Sequence, residues 1–112
     1  MGDKRGQNAI EAEVFERQAR ICKSFANATR LQMLDLLGKR DWAAADLQKE
    51  LGFSKPNLSQ HVAILKAAGI VATQRKNGRV YCTLAMPEVK SACHLIRNVL
   101  RAQLRNGRRL TL

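Results

Sequence analysis

The chain has 112 residues, 46% of them apolar, which suits one small folded domain and excludes a disordered tail. Lysine and arginine number 20 against 9 acids, a formal net charge of +11, and no apolar run nears the roughly 20 residues that a membrane span needs. The N-terminal segment lacks the apolar stretch of a signal peptide, and three widely spaced cysteines make no disulfide framework, so a cytoplasmic protein is expected.

The charge is unevenly spread. Residues 1–53 hold 9 basic and 8 acidic side chains, whereas residues 54–112 hold 11 basic side chains and one acid, Glu88. Such asymmetry points to a polyanionic partner. A helix lying on a membrane surface needs a broad, bulky apolar face, and this half has Tyr81 as its one aromatic residue. Nucleic acid is therefore favoured over a membrane.

The first predicted helix runs from Asn8 to about Phe25. Ile10, Val14, Ile21 and Phe25 form one stripe on it, and Phe15, Ala19 and Cys22 a neighbouring one. So wide an apolar surface predicts burial on two sides, against the core and a second subunit. Glu11, Glu13 and Glu16 near its start and Arg17, Arg20 and Lys23 near its end complement the helix dipole. Asn27 is placed to cap a second helix from Ala28 to about Leu37, with Leu31, Leu34 and Leu37 inward and Gly38 as the stop.

Residues 41–43 read as a link into a short helix, Ala44 to Leu51, whose inner face is Leu47 and Leu51 and whose end is Gly52. Ser54 can cap the next helix, and Pro56 sits where a first turn tolerates it. Helix, short turn opening on glycine, and helix make a helix-turn-helix pattern. Leu58, Val62 and Leu65 line the apolar back of its second helix, which ends at Gly69. Its front carries Lys55, Asn57, Ser59, Gln60 and His61, and no acid occurs between Ser54 and Gly69. An acid-free, donor-rich face suits phosphates and base edges, and Ser54 at its start counts with these residues as a candidate contact.

Past Gly69 the period changes. Residues 70–75 and 79–84 are β-prone runs around Lys76-Asn77-Gly78, a strong hairpin signal. Val80, Cys82 and Leu84 alternate to the inner face, and the tip presents Arg75, Lys76 and Arg79 to phosphates. Pro87 opens a last helix to about Leu104, with Val89, Ala92, Cys93, Ile96, Val99, Leu100 and Leu104 as its apolar stripe. Lys90, Arg97, Arg101 and Arg105 form the opposite face. One domain over residues 8–105 is expected, with residues 1–7 and 106–112 as flexible basic termini. The architecture is mainly α with a small β-hairpin wing, dimeric through the first and last helices.

The stretches Asn27-Ala28-Thr29-Arg30-Leu31, Ser59-Gln60-His61-Val62-Ala63-Ile64-Leu65-Lys66-Ala67-Ala68-Gly69-Ile70-Val71 and Lys76-Asn77-Gly78-Arg79-Val80-Tyr81, with the closing Leu84, resemble the ArsR/SmtB family of dimeric bacterial repressors. The resemblance spans about residues 8–105. It implies a winged helix-turn-helix homodimer that lays one recognition helix per subunit in successive major grooves, with wings beside them. The family's Cys-x-Cys metal pair has no counterpart, since that helix reads Asp46-Leu47-Gln48-Lys49-Glu50. Its zinc ligands on the last helix are missing too, because Glu88 and His94 lie six residues apart and on different faces.

Three cysteines remain. Cys22 and Cys93 fall on the two helices expected to meet at a dimer interface, where a pair could bind a soft metal or metalloid ion or be oxidised. Lys23 and His94 beside them would lower the thiol pKa values. The competing reading is plain core packing, which is the stronger one for all three and most clearly so for Cys82. His61 carries two readings as well, a DNA contact or a support of the turn. It has no nucleophile or carboxylate beside it for catalysis, and no phosphate-cradling glycine loop exists, so an enzyme is not expected. The functional expectation is a repressor of the ArsR type, released by a thiol-directed signal or lacking a metal or thiol effector altogether. The alternative is a winged-helix module for protein contact.

Overall fold

The computed structural model describes residues 4–107. In chain order the elements are α1 (Lys4–Phe25), α2 (Ala28–Lys39), β1 (Trp42–Ala43), α3 (Ala44–Leu51), α4 (Lys55–Ala67), β2 (Val71–Lys76), β3 (Arg79–Leu84) and α5 (Glu88–Arg105). Five helices with a β-hairpin wing form a winged helix-turn-helix fold, as the pattern predicted.

Local chemistry sets most boundaries. The Asn27 side-chain oxygen accepts the Arg30 backbone N–H at 3.1 Å and caps α2. Gly52 closes α3 at φ +69°, a left-handed conformation that glycine adopts without the Cβ clash. Asn77 and Gly78 turn the wing with φ of +51° and +75°, the two positive values that a two-residue type I′ hairpin requires.

The core joins Met33, Leu34 and Leu37 of α2 to Leu47, Leu58, Leu65, Ile70, Val71, Cys82 and Val89. The α2 face is turned from the expected one. Leu31 is exposed and Met33 fully buried, because α5 and β3 pack on that side of the helix. On the wing, Cys82 is buried as its alternation predicted, but Val80, next to the tip, is exposed. Residues 41–43 are more than a link. Trp42 and Ala43 pair with Cys82 and Tyr81, making a three-stranded sheet of order β1-β3-β2. Two residues are too few to show alternation, and the pairing is long-range, so no local pattern announced it. The Trp42 indole N–H donates to the Leu36 carbonyl at 3.0 Å, and the Arg40 guanidinium lies 3.6 Å from the ring centre.

Of the termini expected to be flexible, residues 4–7 belong to α1, because no proline stands in the way and one Gly6 costs a helix only about 1 kcal/mol. Residues 106–107 form a turn, and residues 1–3 and 108–112 lie outside the described residues.

α1 projects from the domain. The Cα radius of gyration is 17.3 Å, against about 13 Å for a compact chain of this size. Of its described side chains, only Ser24 and Phe25 at its end are buried, and Ile10 and Phe15 are 66% and 67% exposed. On α5 only Val89 is buried, while Leu95, Ile96 and Val99 are all more than half exposed.

Candidate nucleic-acid interface

α3, the turn and α4 are held together from inside. Leu47, Leu58 and Leu65 are buried between the two helices and the sheet. The Phe53 N–H donates to the Gln48 carbonyl at 3.0 Å, which fastens the turn to the end of α3. Ser54 caps α4, its hydroxyl oxygen accepting the Asn57 N–H at 3.4 Å. The hydroxyl therefore shapes the helix start, and Ser54 itself stays exposed.

With Leu58 and Leu65 turned inward, the 100° step per residue sends Asn57, Ser59 and Gln60 outward, and Lys55, in the first turn of the helix, is exposed with them. Lys55 and Ser59 line a groove of about 430 Å³ that is closed on its far side by Gly78, Arg79 and Val80 of the wing. The fold thus brings the front of α4 and the wing, about 20 residues apart in sequence, onto one surface. Arg75 and Lys76 are exposed on the wing beside it.

Arg79 is not simply free. It reaches Asp46 of α3 at 3.2 Å and sits 5.9 Å from the Tyr81 ring centre. A phosphate would have to compete with that carboxylate. Lys66 of α4 donates to the Thr73 hydroxyl of β2 at 2.9 Å, so the wing base is tied to α4 as well.

His61 is half-buried and engaged. Arg30 Nη1 lies 3.2 Å from its Nδ1, and the Phe53 ring stacks on the imidazole at 5.8 Å and 28°. A guanidinium can only donate, so Nδ1 accepts and Nε2 carries the proton. Burial lowers the His61 pKa, and the nearby Arg30 charge lowers it further. Arg30 Nε also donates to the Ser24 carbonyl at 2.7 Å, linking the end of α1 and the start of α2 to the middle of α4. Neither Arg30 nor Phe53 was singled out by periodicity. Arg30 does lie in the Asn27–Leu31 stretch that carries the family resemblance.

The cysteines separate by environment. Cys82 is buried, and desolvation raises its pKa against a smaller opposing effect of Lys66. Cys93 is half-buried at the edge of a cleft between α2 and α5, with Asp35, Lys90 and Arg97 nearby. Its thiol is pushed up by burial, which outweighs the lowering by Arg97, so the lowered value expected from its neighbours does not hold there. Cys22 is exposed on α1. Among the described residues no three His, Cys, Asp or Glu side chains gather into a metal cage within one protomer.

The helix-turn-helix domain family matches residues 25–74. An uncharacterized HTH-type transcriptional regulator of Mycobacterium tuberculosis is 30% identical over 93 residues, which is 81% of this chain and 82% of that one. The chain belongs to the ArsR family of winged helix-turn-helix transcriptional regulators. The repressor SdpR of Bacillus subtilis is 36% identical over 64 residues, 57% of this chain and 71% of its own. In three dimensions the chain is similar to the homodimeric DNA-binding domain of a possible ArsR-family regulator from Mycobacterium bovis. The TM-score is 0.78 at 30% identity, over 84% of this chain and 87% of the other. As an ArsR-family protein it is a DNA-binding transcriptional regulator and not an enzyme. No described helix is long and apolar enough to cross a membrane.

Proposed function

We propose that this ArsR-family chain is a cytoplasmic repressor that binds operator DNA as a homodimer, with α4 as its recognition helix. One observation carries the reading. The exposed front of α4 presents Lys55, Asn57, Ser59 and Gln60 without an acid, beside a wing bearing Arg75, Lys76 and Arg79. Asn57 and Gln60 would read base edges, Lys55 and Ser59 nearby phosphates, and the wing the flanking backbone. The free Nε2–H of His61 is a further donor. The large apolar residues left uncovered on α1 and α5 support dimerisation through those two helices.

The test is a duplex selected from a random library and then challenged with variants. Asn57→Ala and Gln60→Ala should each relax the preference at one base pair by about 1–3 kcal/mol. If both keep the full preference over random DNA, the readout belongs to other residues. A protein-interaction module would show no salt-sensitive duplex binding at all.

A second reading concerns release. The exposure of Cys22 and the position of Cys93 on α5, both on helices with uncovered apolar surface, support a thiol-directed signal such as an oxidant or a soft metal ion. Gel shifts with reduced, oxidised, arsenite-treated and zinc-treated protein test it. A Cys22→Ser/Cys93→Ser variant that still leaves DNA on cue excludes it, and insensitivity to every treatment marks a regulator without a metal or thiol effector.

A further inference from the structure

The nearly neutral balance of residues 1–53 conceals a local sorting of charge. On α1, Glu11, Glu13 and Glu16 precede Arg20 and Lys23, which occupy the last turns. Arg17 is held by Glu13 at 2.9 Å, but neither Arg20 nor Lys23 has an ion-pair partner among the described residues. The end of α1 packs on α2 and α4, with Ser24 and Phe25 buried at the junction. There Arg20, Lys23 and Arg30 line one cleft of about 350 Å³ whose floor is Ile64, Ala67 and Ala68 of α4. No acid lines it.

The cleft lies across α4 from the wing. Ser59 lines the wing-side groove, and Lys66 is bonded to Thr73 of β2. Two residues on from each, and so about 200° around the helix, are His61, which Arg30 holds, and Ala68, which lines the cleft. Ala67 follows Gln60 by seven residues, about two helical turns, so the cleft floor continues the face that Gln60 presents. The recognition helix therefore stands between two basic walls. A helix in the major groove likewise stands between two phosphate strands, about 12 Å apart.

We propose that Arg20, Lys23 and Arg30 form a second phosphate-gripping surface, which holds the backbone strand on the opposite edge of the groove from the wing. The inference rests on the DNA-binding reading above. Arg30 is fixed by its bonds to Ser24 and His61, which use two of its five donors and leave the rest for phosphate oxygens. Arg20 and Lys23 are exposed and supply the outer contacts.

The experiment is fluorescence anisotropy with a labelled random-sequence duplex of about 30 base pairs, titrated from about 50 to about 200 mM salt, since the phosphate contribution is sequence-independent. Arg20→Ala/Lys23→Ala should flatten the log–log salt slope by about 1.8 per engaged protomer, so that the affinity lost across this range shrinks about 12-fold. Arg20→Gln/Lys23→Gln, which keeps polar side chains at both positions, should do the same. Arg101→Ala/Arg105→Ala removes equal charge from α5 and should leave the slope unchanged. An unchanged slope in the α1 variants, or an equal change in the α5 variant, overturns the proposal. If Arg75→Ala/Lys76→Ala flattens the slope and the α1 pair does not, the second surface fails while the DNA-binding reading stands. If the wild-type protein shows no salt-sensitive duplex binding, both fail.

Discussion

Arg30 donates through Nη1 to Nδ1 of His61 at 3.2 Å, tying the start of α2 to the middle of α4 across 31 residues of sequence. The contact requires a neutral imidazole, because a proton on Nδ1 would point at the guanidinium. Helix α4 and the α1–α2 junction thus meet at one titratable group.

A pH dependence follows from that pair. The native fold holds the His61 pKa below its ordinary value of 6.5, chiefly by burial and then by the Arg30 charge. Below 6.5 the unfolded chain therefore binds the extra proton more readily, and folding stability drops with pH. The contribution is fully present above 6.5 and is lost as pH falls through the lowered native value. Thermal melts from about pH 7.5 to about pH 5 should show a smaller loss for His61→Gln, which keeps an acceptor for Arg30 and cannot be charged. Equal losses in the two proteins would contradict this.

Asp46 restrains the wing through Arg79. The pair is exposed enough on both sides to be worth at most about 1 kcal/mol. Asp46→Asn should therefore barely shift the melting temperature while tightening duplex binding, since Arg79 is freed and an acid beside the interface is removed. Weaker binding would mean that Asp46 orients Arg79 for its phosphate.

Cys82 should behave as a core atom. It is 1% exposed, so Cys82→Ser buries a hydroxyl in an apolar setting and should cost about 1–3 kcal/mol in denaturant unfolding. Cys22→Ser, at an exposed position, should stay within about 0.5 kcal/mol. Leu47→Ala, at a fully buried position, should cost about 2–5 kcal/mol.

The uncovered faces of α1 and α5 give a prediction about assembly. Phe15→Glu or Ile96→Glu puts a charge where 67% and 59% of each side chain already meets solvent in one protomer. The isolated fold should tolerate this, while sedimentation should shift from dimer to monomer. A variant that remains dimeric would move the interface elsewhere.

The Asn27 and Ser54 caps, the Gly52 stop, the Asn77-Gly78 turn and the inward Leu47, Leu58 and Leu65 were all legible from residue type and spacing. Each depends on interactions within a few residues, so the local pattern contains the cause. The acid-free front of α4 was legible for the same reason, because the direction of a helical side chain follows from the period. What only the tertiary structure decided depends on distant partners. Trp42 and Ala43 became a strand because β3 lay alongside them. Met33 displaced Leu31 from the core because α5 and β3 cover that side of α2. Arg79 found Asp46, and Arg30 found His61, across turns whose geometry no short window contains. The basic wall at the end of α1 was hidden in a charge count of +1 for the first half. Charge summed along a chain ignores direction, and only packing α1 against α4 turned Arg20, Lys23 and Arg30 into one surface.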